Sequence, residues 1–177
     1  MMKNYFLITV LVVLAACSRP QEHLMEQITA AEKELEMGNP DMPSFERADS
    51  LIKMYMNYAD QYKDDTLSPS YIYKAAELCV KTGRYDQAVA HLGSVQRYPN
   101  FKKVGDALFM QGFISDTHLH DTVAARKYYE KFRLTYPKHE FADDAGYLLE
   151  NLNMSTEELI SKLESQQQAA DSLMVKQ

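Results

Sequence analysis

The chain has 177 residues and a formal charge of −6, from 19 Lys and Arg against 25 Asp and Glu. That length can bury a real core in one domain, and an acidic balance without a long Lys/Arg block argues against nucleic acid or anionic lipid surfaces as partners. Six glycines, six prolines, windows rich in Ala, Leu, Glu, Lys and Gln, and no Val/Ile/Thr alternation after residue 17 point to an all-α protein.

The first element is an N-terminal segment with the layout of a secretory signal. Lys3 supplies the positive start, and Tyr5 to Leu14 form an apolar run too short for a comfortable membrane span. Leu14-Ala15-Ala16-Cys17 follows, and this ending resembles a bacterial lipobox. The resemblance implies removal of residues 1–16 and lipid on the sulfur and new amine of Cys17. Ser18 in place of Asp implies the outer membrane, and the absence of a strong acidic cluster in Ser18-Arg-Pro-Gln-Glu-His favours the periplasmic side. The alternative is an ordinary signal peptide with an unrelated cysteine. Without residues 1–16, which hold only Lys3, 161 residues remain, with 18 basic and 25 acidic side chains and a charge of −7. Cys79 then has no intrachain partner. Its spacing with Ile72, Ala75 and Ala76 predicts a buried, inert thiol.

Residues 17–43 read as a tether and first helix, Gln21 to Met37, stopped by Gly38-Asn39-Pro40 as a left-handed cap followed by proline. Pro43-Ser44 opens a second helix to about Tyr62, with Phe45, Ala48, Leu51, Ile52, Tyr55 and Ala59 at helical spacing. Ser68-Pro69 predicts an N-cap and a helix to about Lys81, ended by Gly83. Further helices are expected over Tyr85–Tyr98, Lys103–Thr117, Thr122–Tyr136 and Glu140–Leu152. Within 153–177, Ser155-Thr156-Glu157-Glu158 has capping-box spacing and opens a last amphipathic helix through Leu159, Ile160 and Leu163. A polar, frayed tail is expected from Gln166.

The helices repeat. Ala76, Gly112 and Gly146 lie 36 and 34 residues apart, each mid-way along the first helix of a pair. Ala48-x-x-x-Ile52, Ala88-x-x-x-Leu92 and Ala125-x-x-x-Tyr129 mark second helices, and Pro99 and Pro137 end two of them. Small residues recur because helices must cross closely there. This pattern, over residues 44–152, resembles about three tetratricopeptide repeats. It lacks Trp, stretches some spacings beyond 34 and has no proline after Tyr62. Tyr128-Tyr129-x-x-Phe132-x-x-x-Tyr136-Pro137 with Phe141, Ala142 and Ala145 is also similar to repeats of the outer-membrane-barrel assembly lipoprotein, the Tol–Pal-associated periplasmic protein and short tetratricopeptide lipoproteins of Bacteroidetes. The resemblance implies an antiparallel helix-hairpin, right-handed solenoid with capping helices. A non-repeat helical bundle is the alternative. The tetratricopeptide resemblance implies groove positions at Tyr73, Glu77, Phe109, Phe113, Asp143 and Tyr147, an aromatic-acid stripe suited to an extended peptide or a partner helix. The same aromatics could equally pack on each other or on the helix near 156–165.

Other motifs carry less. Ser50-Leu-Ile-Lys53 and Lys81-Thr82-Gly83 imitate penicillin-binding motifs without the Ser-Asp-Asn that completes them. Asp116, His118, His120 and Asp121 sit on a turn poorly preorganised for metal. Asp64-Asp65 and Asp143-Asp144 read as solvated carboxylates. The expectation is a non-enzymatic, lipid-anchored envelope adaptor with protein partners and no cofactor, metal, nucleic acid or small-molecule substrate. The alternatives are a structural spacer without a groove ligand, or an accessory of a hydrolase or glycan-processing system.

Overall fold

A computed structural model describes residues 20–38 and 44–174, and the expectations for the signal segment and Cys17 lie outside them. The described residues hold eight helices and no strand: α1 (20–36), α2 (Phe45–Gln61), α3 (Ser68–Lys81), α4 (Tyr85–Val95), α5 (Val104–Thr117), α6 (Thr122–Thr135), α7 (Ala142–Asn151) and α8 (Thr156–Met174). The all-α reading is therefore correct at the level of class, and the packing of α2 on α3, α3 on α4 and α6 on α7 is consistent with a helical repeat. Two compact units divide within α5, one ending at Ala107 and one beginning at Leu108.

In the first unit α3 packs against both α2 and α4. Small side chains sit where those helices meet: Ala48, Ala75, Ala76 and Ala88 are all at most 1% exposed. Between them lies a tyrosine cluster. Tyr55 stacks on Tyr71 with ring centres 5.2 Å apart, and Tyr58 meets Tyr71 edge-on at 4.8 Å. Polar bonds hold α1 to this cluster. The Tyr55 hydroxyl donates to Glu32 at 2.7 Å, Lys74 bonds the same carboxylate at 2.7 Å, and Gln21 donates to Tyr58 and Asp65, both at 2.8 Å. Burial and Glu32 together push the Tyr55 hydroxyl far above its ordinary pKa, so it stays a donor.

The turn between α3 and α4 needs glycine. Gly83 has φ 72°, which lets Arg84 N–H reach the Cys79 carbonyl at 2.8 Å and close the helix end. Arg84 then bonds Asp49 at 2.9 Å and Thr82 at 2.9 Å, under the Phe45 ring at 4.8 Å. Cys79 is fully buried, and burial raises its thiol pKa, the inert state expected for it.

Some ends differ from expectation. Gly38 is not left-handed: among described glycines only Gly83 has positive φ. Ser68 is not a cap but the first residue of α3, its hydroxyl donating to the Tyr62 carbonyl at 2.6 Å, while Asp65 accepts from Leu67 N–H. α4 stops at Val95, and the next three amides make short i→i−3 bonds before Pro99, which biases Tyr98 away from helix. α7 starts at Ala142, with Ala145 N–H donating to the Phe141 carbonyl at 2.9 Å and the otherwise free Phe141 N–H donating to His139 Nδ1 at 3.3 Å. The tail beyond Gln166 is helical to Met174, since Gln and Ala are good helix formers.

In the second unit α5 lies on α6 at one close point. A Cβ built on Gly112 would stand 2.7 Å from two ring carbons of Tyr129, which is fully buried. Tyr129 also donates to Asp116 at 3.5 Å. Asp121 caps α6 by accepting from Ala124 N–H at 2.9 Å, and the capping box forms as read, with Ser155 and Glu158 exchanging bonds at 2.8 and 3.2 Å.

Gly112→Ala should lower stability by about 1–3 kcal/mol despite the better helix propensity of alanine, because the buried ring cannot yield. Gly146→Ala should be neutral or stabilising by up to about 1 kcal/mol, since its Cβ would meet only the Arg133 side chain at 3.6 Å. Urea denaturation of the two variants checks the contrast.

Lys53, at 2.7 Å, and then Arg84 hold the Asp49 carboxylate below its ordinary pKa. A depressed folded pKa adds stability above the unfolded value near 3.9 and loses it as pH falls below. Wild type should therefore exceed Asp49→Asn in denaturation midpoint at pH 7, and the gap should narrow at pH 3.

Candidate functional site

The six groove residues separate by burial. In the first unit Tyr73, on α3, is 9% exposed. Its ring meets Phe101 at 6.2 Å, and Lys103 lies over its face at 4.6 Å. Desolvation first, then Glu77 and Asp106, push its hydroxyl pKa up to about 12. The 101–103 turn of the same unit therefore covers Tyr73. Glu77, one helical turn on, is exposed.

In the second unit Phe109 is 8% exposed and is the hub of the core. Its ring stands 4.8 Å from Phe141, 5.5 Å from Phe132 and 6.0 Å from Tyr129. Phe113, one turn along α5, stacks on Phe109 at 6.4 Å yet remains 36% exposed. Tyr147 on α7 is 43% exposed, and Asp143 is exposed too. The stripe is thus part core and part surface. Tyr73 and Phe109 serve packing, whereas Glu77, Phe113, Asp143 and Tyr147 reach solvent. α8 leaves Phe113 and Tyr147 open.

Asp143 lines a feature that the repeat pattern did not indicate. A cleft of about 520 Å³ between α6 and α7 is walled by Glu130, Arg133, Leu134, Pro137, Asp143 and Leu149, with Ala142. Leu134 is 84% exposed. It sits off the core face of α6, which Ala125, Tyr129 and Phe132 define, and that departure from the 3.6 period is the signal that marks it.

The His118–Asp121 turn is occupied with structure: Asp121 caps α6, and its N–H donates to the Ser115 carbonyl at 2.8 Å. Burial raises the Asp116 pKa, and its carboxylate accepts from Tyr129. Among the described residues no three His, Cys, Asp or Glu side chains gather as a metal site, and no helix is long and apolar enough to cross a membrane.

No family model and no curated protein matches the chain.

Phe109→Ala should cost about 3–5 kcal/mol, as loss of a core aromatic does, while Phe113→Ala and Tyr147→Ala should each cost under about 1 kcal/mol. Thermal unfolding by circular dichroism separates the two groups.

Proposed function

We propose that this chain is a non-catalytic, lipid-anchored adaptor of the bacterial cell envelope, built from tetratricopeptide-like helix hairpins in a right-handed solenoid. Cys17, carrying lipid, would hold it at the outer membrane on the periplasmic side. Acyl burial supplies about 0.8 kcal/mol per CH₂, enough for a stable hold with several chains. The helix pairs would present side chains to protein partners.

The exposure of Phe113 and Tyr147 carries this reading. Large aromatics left in solvent beside a packed core are the usual anchors of protein interfaces, and Asp143 adds a polar group that sets orientation. Leu134, exposed in the same unit, shares a cleft with Asp143. The alternative is a structural spacer without a groove ligand; Tyr73 and Phe109 are buried by the 101–103 turn and by Phe132 and Phe141 rather than by α8, so they belong to packing on either reading.

Copurification from gently solubilised envelopes distinguishes the two. A partner enriched with wild type and lost with folded Phe113→Ala/Asp143→Ala/Tyr147→Ala is the adaptor outcome. Identical profiles are the spacer outcome. Cys17→Ser should abolish radiolabelled palmitate incorporation and move the protein from the membrane to the soluble fraction. Persistence of both label and membrane retention would contradict the anchor.

A further inference from the structure

Helix α8 has little of its own unit to rest on. Of its described side chains only Leu159 and Lys162 are half-buried, with Lys162 donating to Asn151 at 2.7 Å, and the others are exposed. Ile160 is 51% and Leu163 46% exposed. A helix of 19 residues whose described side chains are so little buried is marginal in water.

The exposed face is ordered. Ile160, Leu163 and Gln167 follow a 3, 4 spacing, the period of a coiled-coil seam. Glu157, Glu164 and Asp171 stand seven apart and form an acidic row along one edge of that seam. Gln167 donates to Asp171 at 2.9 Å, joining seam to row. The opposite edge carries Leu159 and Gln166, without charge.

We propose that α8 is a docking helix that pairs with an amphipathic helix of another protein, one with an apolar seam and a Lys/Arg row on the edge facing Glu157, Glu164 and Asp171. Charge selects this occupant. Two copies of α8 in antiparallel would set acid against acid, and in parallel would meet no basic residue. An anionic bilayer surface would repel the acidic row. Its residues lie on α8, whereas Phe113 is on α5 and Tyr147 on α7, and its test does not involve those two.

The test uses the full-length protein in mild detergent at 150 mM salt, with two synthetic helical peptides. Both carry Ile and Leu at 3, 4 spacing, and one has Lys and the other Glu along the flanking edge. Fluorescence anisotropy should show the Lys peptide binding at least about tenfold more tightly. Glu157→Lys/Glu164→Lys/Asp171→Lys should reverse that preference. Ile160→Ser/Leu163→Ser should abolish binding while circular dichroism stays near wild type, since both positions are exposed. Equal affinity for the two peptides, absence of binding, or binding that survives Ile160→Ser/Leu163→Ser through bulk charge would each overturn the proposal. So would a dimer in sedimentation that Ile160→Ser/Leu163→Ser dissolves, which would make a second copy the occupant.

Discussion

The approach of α5 to Tyr129 at Gly112 sets the second unit. With ring carbons 2.7 Å from where a Cβ would lie, this position admits no side chain without movement. The close crossing has consequences on both sides. Toward α6 it buries Tyr129 completely, which drives the hydroxyl pKa up and keeps a proton for the bond to Asp116. Along α5 it places Phe109, three residues earlier, among Phe132 and Phe141, and Phe113, one residue later, at the edge of the same core. The aromatics of one helix thus divide between packing and surface by their angle from one glycine.

The first unit reaches similar close contact by other means. Alanines at positions 48, 75, 76 and 88 bring α2, α3 and α4 together, and a tyrosine cluster fills the wider space. Its hydroxyls require partners once buried, and α1 supplies them through Glu32 and Gln21. Lys74 closes the arrangement by bonding Glu32 while lying 5.8 Å from the centres of both the Tyr55 and Tyr71 rings. Helix α1 is therefore bound by directed polar bonds as well as by its buried Ile28. Arg84 acts comparably at the other end, tying Asp49 and Thr82 beneath Phe45, and its Nη2 is buried without a partner.

Helix positions were legible because the 3.6-residue period and the Gly and Pro punctuation agree, as at Gly83 and Pro137. The small residues were legible in part: Ala48, Ala76, Ala88 and Gly112 sit where helices meet closely, whereas a Cβ on Gly146 would meet only the Arg133 side chain at 3.6 Å. Helix ends were less so. Ser68 looks like a cap, but Asp65 serves that turn, a choice made by three-dimensional reach. The candidate site was only half legible. An aromatic at a groove position has the same spacing as one in a core, so Tyr73 and Phe109 could not be told from Phe113 and Tyr147 until burial separated them. Leu134 was hidden beside Phe132, and the glutamine run before Ala169 read as a tail although its propensity is helical.

A double-mutant cycle between Gly112 and Tyr129 tests the central constraint most directly. Gly112→Ala, Tyr129→Leu and the pair would be compared by urea denaturation. If close approach to the ring makes Gly112 obligatory, the smaller side chain at 129 should absorb the added methyl group. The double variant would then be more stable than the sum of the singles by about 1 kcal/mol or more. Additive losses would contradict the account, because Gly112 would then be small for a reason other than the ring of Tyr129.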